Sequence, residues 1–121
     1  MTLISGSLCS CGQQNFKTID ADEFETAISS DSVQLLDVRT VEEYNEAHIS
    51  ADSVINIDEL QPDFMTKARK VLDKGKTVAV YCRSGRRSAD AAKKLSDEGY
   101  KVIDLKGGIL EWQERGKKTS K

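Results

Sequence analysis

One stretch of the chain concentrates groups capable of chemistry: Cys82-Arg83-Ser84-Gly85-Arg86-Arg87-Ser88 holds a thiol, three guanidinium groups, two hydroxyls and a glycine. The run before it, Thr77 to Tyr81 (TVAVY), is apolar and β-branched and reads as a buried strand. The run after it reads as a helix, with Ser88 as N-cap and Gly99 just past the end. In an open α/β sheet, ligands gather beyond the carboxyl ends of the strands. Backbone N–H groups in such a loop converge on an anion, helped by the positive end of the helix dipole. A thiol at the start of the loop sits in that field. Its thiolate is favoured by the amides and by Arg83, Arg86 and Arg87, and the same groups suit an oxyanionic substrate. A thiolate stabilised in this way needs no separate general base. The plainer alternative is an inert cysteine closing a buried strand, with solvated arginines beside it.

Alternating short strands and amphipathic helices surround this loop. Phe16 to Ile19 reads as a strand. Asp20 with Glu23 opens a helix striped by Phe24, Ala27 and Ile28. Val33 to Val38 (VQLLDV) is a second buried strand, and Thr40 with Glu43 forms a capping box for a short helix through Tyr44 and Ala47. Val54 to Ile57 is a strand candidate. Phe64, Met65, Ala68, Val71 and Leu72 fall at helical spacing, followed by a turn through Gly75. Val102 to Leu105 reads as the last strand, Gly107-Gly108 as a turn, and Ile109 to Gln113 as a closing helix around Trp112. This order predicts an α/β domain with a largely parallel sheet. Arg115 to Lys121 holds four basic residues without a packing pattern and reads as a frayed basic tail over 117–121.

Composition agrees with one small domain. The chain has 121 residues, 18 basic and 20 acidic, for a net charge of −2. That balance excludes a general nucleic-acid binder, which needs a basic face. No apolar run approaches the roughly 18 residues of a membrane span. Three cysteines cannot form a complete disulfide framework. No charged side chain occurs before Lys17, and residues 1–15 read as a disordered leader or a truncated signal. Leu8-Cys9-Ser10-Cys11 resembles a lipobox ending at Cys11, although a positive n-region is lacking. A signal remnant would place the protein in the periplasm or on a lipid anchor; otherwise it is cytoplasmic. A metal or redox role for Cys9 and Cys11 is the weaker alternative, because two thiols without a nearby histidine are too few for zinc.

From about residue 16 to 116 the chain resembles the rhodanese-like (sulfurtransferase) domains. Leu36-Asp37-Val38-Arg39 with Glu42-Glu43-Tyr44 matches the family's first signature, and His48-Ile49 with Asn56-Ile57 matches its second. Val80 to Ser88 looks like its active-site loop, and Leu105-Lys106-Gly107-Gly108 with Trp112 like its closing motif. Two departures stand out: Ala47 replaces the usual glycine before the histidine, and the segment after His48 (ISADSVI) is about two residues longer than usual and lacks the common glycine. The resemblance implies a three-layer fold with about five mainly parallel strands flanked by helices. It also implies Cys82 as nucleophile, with Arg83, Ser84, Gly85, Arg86, Arg87 and Ser88 cradling the substrate. Cys82 would take the outer sulfur of thiosulfate or a related anionic donor and pass it to cyanide, a thiol or a thioredoxin-like protein. No metal or organic cofactor is implied, and a monomer is expected.

Other residues carry smaller expectations. Asp37 is expected to support the loop, and Arg39 to pair with Asp37 or approach the substrate; the bland reading is a surface ion pair worth little. His48, the only histidine, is expected to be a structural hydrogen-bonder, and Tyr44 and Trp112 core aromatics. Ser84 and Ser88 are expected to offer amides or a cap. Three rivals stay open. A cysteine phosphatase wants Cys-x5-Arg, placing arginine where this chain has Ser88; Arg87 stands one position early. The others are a non-catalytic partner-binding module and a persulfide carrier.

Overall fold

A computed structural model describes residues 15–121; Cys9 and Cys11, and the expectations attached to them, lie outside the described residues. The elements follow the order β1 (Lys17–Ile19), α1 (Ala21–Ile28), β2 (Val33–Asp37), α2 (Val41–Glu46), β3 (His48–Ile49) and β4 (Ile55–Asn56). Then come α3 (Phe64–Val71), β5 (Thr77–Tyr81), α4 (Arg86–Asp97), β6 (Val102–Leu105), α5 (Gly108–Glu114) and β7 (Thr119–Ser120). Five strands form a parallel sheet in the order β1-β6-β5-β2-β4. β5 is its centre, which is why TVAVY carries four buried residues in succession.

Alternate residues along the strands feed two cores. On one face Leu36, Val78, Val80 and Val102 pack with Phe64, Ala68, Ala91 and Leu95 of α3 and α4. On the other, Leu35, Ala79, Tyr81 and Leu105 pack with Ala21 and Phe24 of α1 and Ile109 and Trp112 of α5. The result is the expected three-layer α/β arrangement of five parallel strands flanked by helices. Local signals set the helix starts: Asp20 accepts the Glu23 N–H at 2.9 Å, and Thr40 and Glu43 cap α2 reciprocally. No helix among the described residues is long and apolar enough to cross a membrane.

Three readings need correction. The residues beyond Gly116 are not a frayed tail: Thr119 and Ser120 pair antiparallel with Ile49 and His48. Lys118 supports that pairing, its carbonyl accepting Trp112 Nε1–H at 2.9 Å, while Lys117 Nζ bridges Asp22 and Glu25. Ser88 is not the N-cap of α4, which begins at Arg86 behind Gly85. Tyr44 is half-exposed rather than a core residue; it stacks on His48 with ring centroids 4.1 Å apart and planes at 6°.

Candidate active site

The loop between β5 and α4 turns on Gly85, whose φ of 111° is left-handed and ill suited to a side chain. That turn directs the Gly85 N–H at Cys82 Sγ, 3.0 Å away. That contact places a backbone donor on the sulfur from inside the loop. The Gly85 carbonyl, in turn, accepts the Ala89 N–H and the Ser88 hydroxyl, both at 3.2 Å. The N–H groups of the first helical turn precede the first intrahelical bond and point back toward the loop. Cys82 itself is only 1% exposed, so its sulfur lies at the floor of this cradle.

A second loop braces the first from behind. Ile109 N–H donates to the Cys82 carbonyl at 2.9 Å and Leu110 N–H to that of Arg83 at 3.1 Å. Gly108 makes this approach possible: a Cβ there would collide with the Arg83 carbonyl and stand 2.7 Å from that of Cys82. Its left-handed φ of 62° adds a second reason for glycine.

The three arginines separate. Arg83 and Arg86 are exposed on the rim, and Ser84 beside them is exposed as well. Arg87 turns away and grips Glu43 with both terminal nitrogens, at 2.8 and 2.9 Å. Hydrogen bonding from Arg87 outweighs the cost of burial and, with help from Thr40, lowers the Glu43 pKa to about 2. Arg87 in turn is raised, chiefly by Glu43.

Asp37 and Arg39 form a buried pair at the end of β2, not a surface one. Arg39 donates its backbone N–H, Nε–H and a terminal N–H to the Asp37 carboxylate at 2.6 to 3.2 Å, and a further bond to the Ala47 carbonyl at 2.7 Å. Its Cζ lies 5.5 Å from the centre of the Tyr81 ring. Burial, then the Asp37 carboxylate, push the Tyr81 phenol upward, so it stays protonated. The Tyr81 hydroxyl accepts the Ile49 N–H at 3.1 Å. Asp37 therefore meets the loop through Tyr81, the residue before Cys82, rather than by bonding the loop itself.

The rhodanese-like domain model matches residues 20–115, spanning the loop and both of its supports. The chain belongs to the rhodanese-like domain family. Its relatives include thiosulfate sulfurtransferase PspE of Escherichia coli, 36% identical over 74 residues, covering 61% of this chain and 68% of that one. The putative sulfur carrier protein YrkF of Bacillus subtilis is 34% identical over 96 residues, covering 78% of this chain but 49% of that protein. The chain thus spans only about half of some curated relatives. Among solved structures, a rhodanese-related protein of Thermoplasma volcanium superposes with a TM-score of 0.74 at 31% identity, covering 87% and 98% of the two chains.

Within this rhodanese-like domain, the structure sets Gly85 against Cys82 and Ser88 against Gly85, commits Arg87 to Glu43, and leaves Arg83, Ser84 and Arg86 at the rim. Asp37 and Arg39 stand one layer behind. His48 is a structural hydrogen-bonder, its Nδ1 3.1 Å from the Tyr44 carbonyl, and Trp112 is a core aromatic edge-on to Phe24. Sequence reading missed the Glu43–Arg87 bond, the close approach at Gly108 and the buried carboxyl of Asp104. For Gly108 the tandem glycine was the available signal. Nothing local marks a contact 44 residues apart such as Glu43–Arg87.

Proposed function

We propose that this domain is a sulfurtransferase working through a Cys82 persulfide. The Cys82 thiolate attacks the outer sulfur of an anionic sulfane donor such as thiosulfate. A new S–S bond forms as the donor's S–S bond breaks, and sulfite leaves with the bonding electron pair. The persulfide left on Cys82 keeps one negative charge. An acceptor, cyanide or a thiolate, then attacks the outer sulfur and frees the Cys82 thiolate. The observation that carries this reading is the Gly85 N–H held 3.0 Å from Cys82 Sγ by a left-handed turn. The exposed Arg83 and Arg86 suit an anionic donor. Burial of Cys82 means that only a slim donor, or the outer sulfur of a persulfide, is presented at the surface.

Glu43 weighs against the phosphatase rival. Phosphate chemistry needs an arginine free to clamp two phosphoryl oxygens bidentately. The candidate, Arg87, spends both terminal nitrogens on Glu43. The persulfide-carrier reading shares the first half-reaction and differs in what takes the sulfur; the name of the Bacillus relative favours keeping it as the second reading. Intact mass after incubation with thiosulfate tests the shared step. A gain of one sulfur atom, reversed by cyanide and absent from Cys82→Ala, is expected. No gain in a folded, reduced protein rejects thiosulfate as donor.

A further inference from the structure

The rim around the buried thiol carries three free cations and an exposed leucine. Arg83 and Arg86 are exposed on the loop itself. Lys106, also exposed, joins them from β6. β5 and β6 run in register from Val78 beside Val102 to Val80 beside Asp104, so Cys82 and Lys106 leave the sheet side by side. The next residue, Gly107, packs on the loop, its backbone nitrogen 3.7 Å from where a Gly85 Cβ would stand. Leu110 lies against the same loop, its N–H on the Arg83 carbonyl at 3.1 Å, yet the residue is 38% exposed.

None of these three cations makes an ion pair among the described residues. Asp20, which follows the Ile19 carbonyl that accepts the Lys106 N–H, is engaged in capping α1. Asp90, one turn along α4 from Arg86, pairs with no cation among the described residues. The positive end of the α4 dipole adds to the field. The chain as a whole carries −2. A negatively charged partner is therefore disfavoured by the average field of the molecule and steered to this end of the sheet.

A small dianionic donor uses only part of this rim, because an exposed leucine offers it nothing. A leucine among cations fits a polypeptide that brings an apolar side chain along with its acids. Burial of the thiol narrows the shape of that partner. Cys82 is 1% exposed, and the outer sulfur of a persulfide stands only about 2 Å farther out. The attacking thiol must reach in on an extended segment. We propose that Arg83, Arg86, Lys106 and Leu110 form the docking rim for the sulfur acceptor, and that this acceptor is an acidic polypeptide segment carrying a cysteine beside an apolar residue. Its thiolate attacks the outer sulfur of the Cys82 persulfide and forms a new S–S bond. The bond to Cys82 breaks, its electron pair stays on Sγ as the thiolate, and the acceptor leaves with the outer sulfur and its charge. The transfer step rests on the sulfurtransferase reading; the docking does not.

The experiment uses synthetic peptides of equal length with a central Leu-Cys, flanked by glutamates, by serines or by lysines. Binding of their serine-for-cysteine forms to the full chain is followed by NMR. Sulfur transfer from the thiosulfate-loaded protein to the cysteine forms is followed by mass. At low salt the acidic peptide is expected to bind about tenfold tighter than the basic one, shifting the Arg83, Arg86 and Leu110 amides, and added salt should shrink that advantage. Leu110→Ala should slow transfer to the acidic peptide about two- to fivefold and leave thiosulfate loading unchanged. Lys106→Gln should narrow the preference for acid over base and leave transfer to the uncharged 2-mercaptoethanol unchanged. Both side chains are exposed, so neither change threatens the fold. A basic or neutral peptide that binds as well as the acidic one overturns the proposal. So do shifts confined to another face, or a preference that neither variant moves. Transfer to mercaptosuccinate as fast as to the acidic peptide overturns the polypeptide acceptor in favour of a small anionic thiol. Absence of sulfur loading rejects the proposed function, and the serine peptides then still decide the docking.

Discussion

Asp37 closes β2 and Asp104 is the penultimate residue of β6, on either side of β5, and both are almost wholly withdrawn from water. Asp37 spends its oxygens on Arg39, whose side chain is itself buried. Asp104 has one long hydrogen bond from Thr18, no ion-pair partner, and one oxygen with nothing to accept. The same side chain at comparable depth is thus paired with a buried cation in one place and left without one in the other. The counter-ion makes the difference. A buried carboxylate with a bidentate cation acts as a clamp, here between β2, the Ala47 carbonyl and the Tyr81 ring. One without a cation holds its proton close to neutral pH.

The sharpest way to break the comparison is to remove the clamp's anion. Asp37→Ala leaves Arg39 buried and uncompensated, at an expected cost of about 3–5 kcal/mol in urea unfolding. A cost near that of a surface pair, below about 1 kcal/mol, would mean that water or backbone carbonyls already satisfy Arg39. The double variant Asp37→Leu with Arg39→Met should recover most of that loss, because it removes the stranded charge together with its partner. Failure of the double variant to improve on Asp37→Ala would show that the hydrogen bonds to the backbone, rather than the charges, carry the clamp.

These contrasts also show what the sequence could reveal. Asp20 with Glu23, and Thr40 with Glu43, announce helix starts because each interaction closes within three residues. TVAVY announces the central strand because burial on both faces leaves no polar position in it. Ser88 misled for a physical reason. Serine is the better N-cap by type, but the loop needs a left-handed residue to aim an N–H at Cys82, and Gly85 supplies it two positions before the second helical residue after it. β3 and β7 are two-residue strands without a period to read, so their pairing emerges only once the sheet has placed Trp112 under the C-terminal segment. Asp37 could be paired with Arg39 from the sequence, but neither the burial of that pair nor its place against the Tyr81 ring could be read there. Asp104 sat in an apolar strand and carried no mark of its environment.

Asp104 should contribute a pH dependence of a definite sign. Its folded pKa of about 6 lies above its ordinary value of 3.8, so between those limits the native state binds more protons than the unfolded chain. Wild-type stability therefore falls as pH rises from about 4 to about 6 through this group, and levels off above. Asp104→Asn lacks that slope. Across the window its stability should gain on wild type by about 3 kcal/mol, read from urea midpoints at fixed pH. Parallel pH profiles for the two proteins would mean that Asp104 is hydrated or paired when folded.

Glu43 supplies the smaller effect with the opposite sign. Arg87 holds its pKa at about 2, below the ordinary 4.5, so its stabilisation is complete above about pH 4.5 and is lost as pH falls toward 2. Glu43→Gln should cost about 1 kcal/mol or less at neutral pH, because the pair is partly exposed and solvent screens it. That deficit should shrink as the pH is lowered, whereas the advantage of Asp104→Asn grows as the pH is raised. The same variant releases the Arg87 guanidinium from Glu43. Affinity for anionic donors should then rise modestly, read as a lower KM for thiosulfate with little change in kcat. If KM stays fixed while sulfate begins to inhibit, the freed guanidinium binds oxyanions at a place the donor does not use, and Glu43 acts as a guard against such anions instead of a brake on donor binding.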